Sequence, residues 1–168
     1  GFDHNRQSLR IMTQLETRYP DWPGLNVTYE LREGIVKHET EYDLSDSAAE
    51  GFDPDLRASL EAQIANIADE LAYNAHDLDD GLRSGLLVPG QLDSLGIWQM
   101  LKESIGWDGK DFSEQIRHRM IRRMLGLEIN DVIEATGAVL ARLQPESPEA
   151  IQRLPYNVVQ HSDEIKRS

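Results

Sequence analysis

The chain has no cysteine. That excludes disulfides and thiolate-bound zinc, and it leaves the redox compartment unreadable. Also missing is any apolar run near the roughly 18 residues that a membrane-spanning helix needs, and no secretory leader pattern opens the sequence. A soluble, cytoplasmic protein without a membrane partner is the expectation. Basic residues are scarce: 17 Lys and Arg stand against 30 Asp and Glu, a formal charge of -13 over 168 residues. A surface of that sign repels phosphate backbones and anionic lipid, so nucleic acid is not an expected partner, although local basic pockets remain compatible with the composition. There is no internal repeat, no alternating apolar and polar strand pattern, and no glycine-rich phosphate loop. The fold class expected is all-α, and at this length 1–168 reads as a single helical piece around one core.

What is present is a series of helical patterns separated by turn chemistry. Asp3 is placed to cap a first helix in which Leu9, Met12, Leu15 and Tyr19 keep helical spacing until Pro20. Asp21 to Gly24 is a turn, and a second helix is expected from Asn26 or Thr28 to about Glu39. Glu41 to Gly51, polar and aperiodic, reads as a mobile loop. Asp53 followed by Pro54 is a start signal for a long central helix that Gly81 or Gly85 ends. Asp93 or Ser94 can cap a short helix with Ile97, Trp98, Leu101 and Ile105 inward. The last long helix is expected over Phe112 to Leu143, where Gly126 and Gly137 weaken it or permit close packing. Residues 145–168 form an irregular tail containing one short helical turn.

The central helix carries the most informative pattern. Ile64, Ile67, Leu71, Ala75, Leu78 and Leu82 share a core face, while Asp69, Tyr73, His76, Asp77 and Asp80 lie opposite. Asp69, Tyr73 and Asp77 recur every four residues, so two carboxylates bracket an aromatic ring along one edge. A solvated acidic face is the plain explanation. Against it stand the mutual repulsion of the carboxylates and the choice of a large aromatic for a solvating position. A carboxylate suits a hard divalent cation, a tyrosine ring can lie against a sugar, and a second carboxylate can accept from a hydroxyl.

The stretch IADELAYNAHDLDDGLRSG closely resembles the last conserved helix of the HD-superfamily deoxynucleoside triphosphate triphosphohydrolases, in their dGTPase-like branch. GFDHNRQSLRIMTQLETRYPDWPGLN resembles the family's region just downstream of its main catalytic motifs. The resemblance covers Phe2 to about Ser162 and implies an incomplete helical HD-type fold, a piece of a longer protein. It implies that Asp69 is the final aspartate of a His…His-Asp…Asp site for a divalent ion, Mg or Mn. It further implies that Tyr73 packs on the deoxyribose, that Asp77 binds the 3′-hydroxyl, and that the full protein releases deoxynucleoside and tripolyphosphate. The His76-Asp77 pair spells the superfamily's name, but the family's metal-binding pair comes earlier in the chain. No confident catalytic residue falls within these 168 residues.

Further contacts with the triphosphate are open to Lys37, at the end of the second helix, and to Arg117 or His118 in the basic run RHRMIRR. Helix-dipole and surface ion-pair roles explain the same residues. His4 and Asn5 fit either an N-terminal turn or the neighbourhood of the active site. A deoxynucleoside triphosphate and further copies of the same chain, in a homo-oligomer, are the expected partners. Two other readings stay open: a non-catalytic helical module that binds through the acidic edge, and an HD-type phosphohydrolase acting on a different nucleotide.

Overall fold

The structure, a computed structural model, describes residues 3–38 and 51–167. Glu39 and, apart from Gly51, the expected mobile loop lie outside the described residues, as does Phe2. Among the described residues six α-helices follow in chain order: α1 (His4–Arg10), α2 (Tyr29–Val36), α3 (Leu60–Ser84), α4 (Gly96–Ile105), α5 (Glu114–Leu143) and α6 (Pro148–Gln152). Among the described residues there is no strand, only an isolated bridge between Tyr19 and Trp22, so the all-α expectation holds. The chain groups into two compact units, Gly1–Asn66 with Leu143–Val158 and Ile67–Arg142 with Val159–Ser168.

In the first unit α1 starts where expected, with the Asp3 carboxylate accepting the Arg6 N–H at 3.0 Å. The helix continues as one π-helical turn, Ile11–Leu15, and stops well short of Pro20. The turn beyond explains the early end. Leu25 donates its N–H to the Met12 carbonyl at 2.7 Å, and Gly24, at φ +68, lies so close to the Met12 and Thr13 backbone that a Cβ has no room. Thr28 caps α2 by accepting the Leu31 N–H at 3.3 Å.

Asp53 and Pro54 do not start the central helix. The Asp53 carboxylate accepts the Asp55 N–H at 2.9 Å, a local turn. Lys37 then holds the Leu56 carbonyl at 2.7 Å, and the Arg57 N–H goes to Gln152 at 2.9 Å. With those groups engaged by distant residues, α3 begins only after Ser59, whose hydroxyl accepts the Ala62 N–H at 3.3 Å. The core stripe is also shifted at this end. Gln63 is buried, donating to the Ala58 carbonyl at 2.9 Å and accepting the Val158 N–H at 2.8 Å, while Ile64 is left 50% exposed. A glutamine that satisfies two backbone groups belongs inside more than an isoleucine that satisfies none. Arg57 fastens the segment before α3 to the Leu154 and Pro155 carbonyls at 3.0 and 2.7 Å.

The second unit is built on Ala75, Leu82, Trp98, Leu101, Met120 and Met124. Each of the larger side chains contributes about 1.5–3 kcal/mol by leaving water. Trp98 and Leu101 are the buried residues of α4, as their spacing requires, and Gly106 ends that helix at φ +67. Neither Asp93 nor Ser94 caps α4. Asp93 instead accepts the Lys102 ammonium at 2.9 Å through its carboxylate and the Gln99 amide at 2.6 Å through its carbonyl. Lys102 also lies 5.8 Å from the Trp107 ring centroid.

Ser113 caps α5 through the Ile116 N–H at 3.3 Å. The buried row of α5 is Arg117, Met120, Met124, Glu128, Val132, Thr136 and Val139. It keeps the expected three- and four-residue spacing, yet three of its members are polar. A Cβ added at Gly126 or Gly137 would meet nothing within 4 Å, so neither glycine is a close-packing site.

Candidate functional site

In the second unit the polar edge of α3 is presented much as its spacing predicts. Tyr73 is 65% exposed, Asp77 is exposed and Asp69 is half-buried. At about 100° per residue the three side chains fall within about 80° of arc, with about 6 Å of rise between neighbours. His76 is also exposed, but it diverges from Asp77 by about 100°, so the two do not share a face. Such an edge offers one flat ring between two hydrogen-bond acceptors. A planar or puckered ring bearing hydroxyls fits that pattern. Among the described residues no group of three or more His, Asp or Glu side chains is arranged to hold a metal ion. Asp69 is one carboxylate where a catalytic divalent ion takes about three protein ligands, so the described residues do not by themselves form its site.

The other expected contact residues have structural partners. Lys37, in the first unit, is buried, and its ammonium bonds the Glu33 carboxylate at 2.8 Å and the Leu56 carbonyl at 2.7 Å. A phosphate contact from Lys37 would require that buried pair to open. Arg117 is buried against Asp79, 3.0 Å from the His118 Nε2 and 3.6 Å from the Glu114 carboxylate. Asp79 lies about 200° around α3 from Asp77, so Arg117 is paired with a different side of that helix from Asp77. His118 is exposed and stands 3.9 Å from Glu114.

Two polar groupings escaped the sequence patterns. In the first unit, the rings of His4 and His38 meet edge to face with centroids 6.4 Å apart. His38 Nδ1 is 2.5 Å from the Asn66 amide oxygen, which fixes the proton on Nδ1 because that oxygen only accepts. Asn5, buried, donates to the His38 carbonyl at 2.6 Å. Residues at the start of α1 and just beyond α2 are thus joined over about thirty positions of sequence, a distance no local periodicity reports.

In the second unit, Asp131 accepts from the His161 ring at 3.0 Å and from the Ser162 N–H at 2.9 Å. Burial alone would raise the Asp131 carboxyl, but the bonds from Ser162 and His161 outweigh it and hold the group below the ordinary range. Burial pushes Glu128 upward; His161 opposes that shift and Glu70 adds to it.

No family model matches the chain. It is 40% identical over 168 residues to a deoxyguanosinetriphosphate triphosphohydrolase-like protein of Geobacter sulfurreducens, covering 99% of this chain and 43% of that protein. The chain is similar to the deoxyguanosinetriphosphate triphosphohydrolase-like proteins. A protein of that name from Deinococcus deserti is 39% identical over 166 residues, with 99% of this chain and 40% of that protein covered. A third, from a Ruegeria species, is 41% identical over 175 residues, covering 98% of this chain and 46% of its own length. The chain therefore spans less than half the length of these curated relatives, while almost all of its own residues take part in the likeness. Its α3 edge lies within the matched stretch.

Proposed function

We propose that a full-length protein containing this sequence hydrolyses deoxynucleoside triphosphates to deoxynucleoside and tripolyphosphate, and that this chain supplies the sugar-recognition edge. The observation that carries the reading is the exposed Tyr73 between Asp69 and Asp77, within a sequence about 40% identical to triphosphohydrolase-like proteins from one end to the other. Tyr73 lies against the deoxyribose and occupies the space that a 2′-hydroxyl would need. Asp77 accepts a hydrogen bond from the 3′-hydroxyl. Asp69, about 12 Å along the helix from Asp77, contributes a single carboxylate to a divalent ion whose other ligands lie outside the described residues. Such an ion, when bound, withdraws charge from the phosphoryl oxygens. This chain's own part is to bind and orient the sugar and to exclude ribonucleotides.

Kinetics on the full-length protein test the assignment. Tyr73→Ala is expected to narrow the preference for dGTP over GTP, and an unchanged preference would remove Tyr73 from sugar recognition. A binding module working through the same acidic edge would take up nucleotide without turning it over.

A further inference from the structure

The tail that closes the second unit is fastened to α5 by groups outside the proposed sugar edge. Asp131 receives the His161 ring and the Ser162 N–H, and the Thr136 hydroxyl accepts the Gln160 N–H at 3.3 Å. Val159 is buried at the start of the same segment. Three residues before Asp131, Glu128 is only 8% exposed, and its Oε2 has no hydrogen-bond partner. The charged groups that face it are His161 of the tail and Glu70 of α3, with Asp131 on its own helix. A neutral carboxylic acid tolerates such a place. An ionised one loses its hydration, gains no donor at Oε2 and faces a second carboxylate.

We propose that Val159–Arg167 is a pH-sensitive clasp, closed on α5 while Glu128 is protonated and loosened when Glu128 ionises. The directions of titration agree with this geometry. Glu128 is raised on folding, chiefly by burial, so the closed form binds more protons than the open one. Its contribution is complete below the unfolded value and is lost as pH rises through the folded one. Asp131 is lowered, because the bonds from Ser162 and His161 outweigh burial. Its contribution is complete above the unfolded value and is lost as pH falls through the folded one. The clasp is therefore tightest in a mildly acidic window, above the range of Asp131 and below that of Glu128.

Amide hydrogen exchange at Gln160 and Ser162 reads the clasp directly, in the 168-residue chain from about pH 5 to about pH 8 and corrected for the intrinsic rate of each amide. Protection is expected to be lost progressively with rising pH as Glu128 ionises. The carboxyl resonance of Glu128 should titrate together with that loss. Glu128→Gln should keep protection high and flat, and Glu70→Gln, which removes a charge that opposes ionisation of Glu128, should move the fall to lower pH. Flat protection in the unaltered chain, or a fall that Glu128→Gln leaves in place, overturns the proposal. Should Glu128→Gln fail to fold by circular dichroism, the unaltered chain and Glu70→Gln decide: a fall that Glu70→Gln does not move counts against Glu128 as the sensing group.

Discussion

At the scale of single residues, the buried polar groups matter more than the apolar ones for understanding what the sequence conceals. Lys37 and Glu33 are both buried and pair at 2.8 Å, and the Gln152 amide adds a bond to the second Glu33 oxygen at 3.1 Å. Removing the cation leaves a carboxylate in the interior with one remaining donor. Lys37→Ala is expected to cost about 3 kcal/mol in chemical denaturation, within the usual range for breaking a buried pair. A loss below about 0.5 kcal/mol would show that the site is wet and that Lys37 is free to serve another purpose. The helix-end position of Lys37 was legible in the sequence. Its burial was not, because Leu56, which it bonds, and Gln152, which bonds its partner Glu33, come from segments 19 and over a hundred residues away. Ile64 shows the same limit in reverse: hydropathy put it in the core, and hydrogen-bond satisfaction put Gln63 there.

At the scale of elements, some caps that rest on neighbours were readable, as at Asp3 and Thr28, while Ser59 and Ser113, equally local, were not. Asp3, Thr28 and Ser147 each accept an N–H three residues on, and Gly106 adopts the left-handed conformation that ends α4. Starts that depend on distant partners were not readable. Asp53 and Pro54 carry a local start signal, yet the bonds from Lys37 to Leu56 and from Arg57 to Gln152 delay α3 to Leu60. The placement of Asp69, Tyr73 and Asp77 along one edge belongs to the readable kind, since a four-residue spacing on a helix needs no tertiary information. The glycines of α5 give an element-scale test. With open space where a Cβ would be, Gly126→Ala and Gly137→Ala should each stabilise the chain by about 0.5–1 kcal/mol in thermal or denaturant unfolding. Destabilisation by either would mean that something packs there.

For the whole molecule, the decisive fact is that the chain spans 43% of a relative's length while aligning over 99% of its own. With no metal-holding group among the described residues, the 168-residue chain alone is expected to show no release of tripolyphosphate from dGTP at any divalent metal concentration. Turnover by the pure chain, proportional to its concentration, would contradict that expectation.

The most direct measurement compares two carboxylates on the same helix in the full-length protein, with metal affinity read by calorimetry and kcat/KM for dGTP read in parallel. Asp77→Asn should lower kcat/KM by about ten- to a hundredfold, the worth of a hydrogen bond to a charged group, with metal affinity unchanged. Asp69→Ala should abolish metal binding and turnover together while the helical circular dichroism persists. Loss of the metal in Asp77→Asn as complete as in Asp69→Ala would contradict the separation of sugar and metal roles along α3.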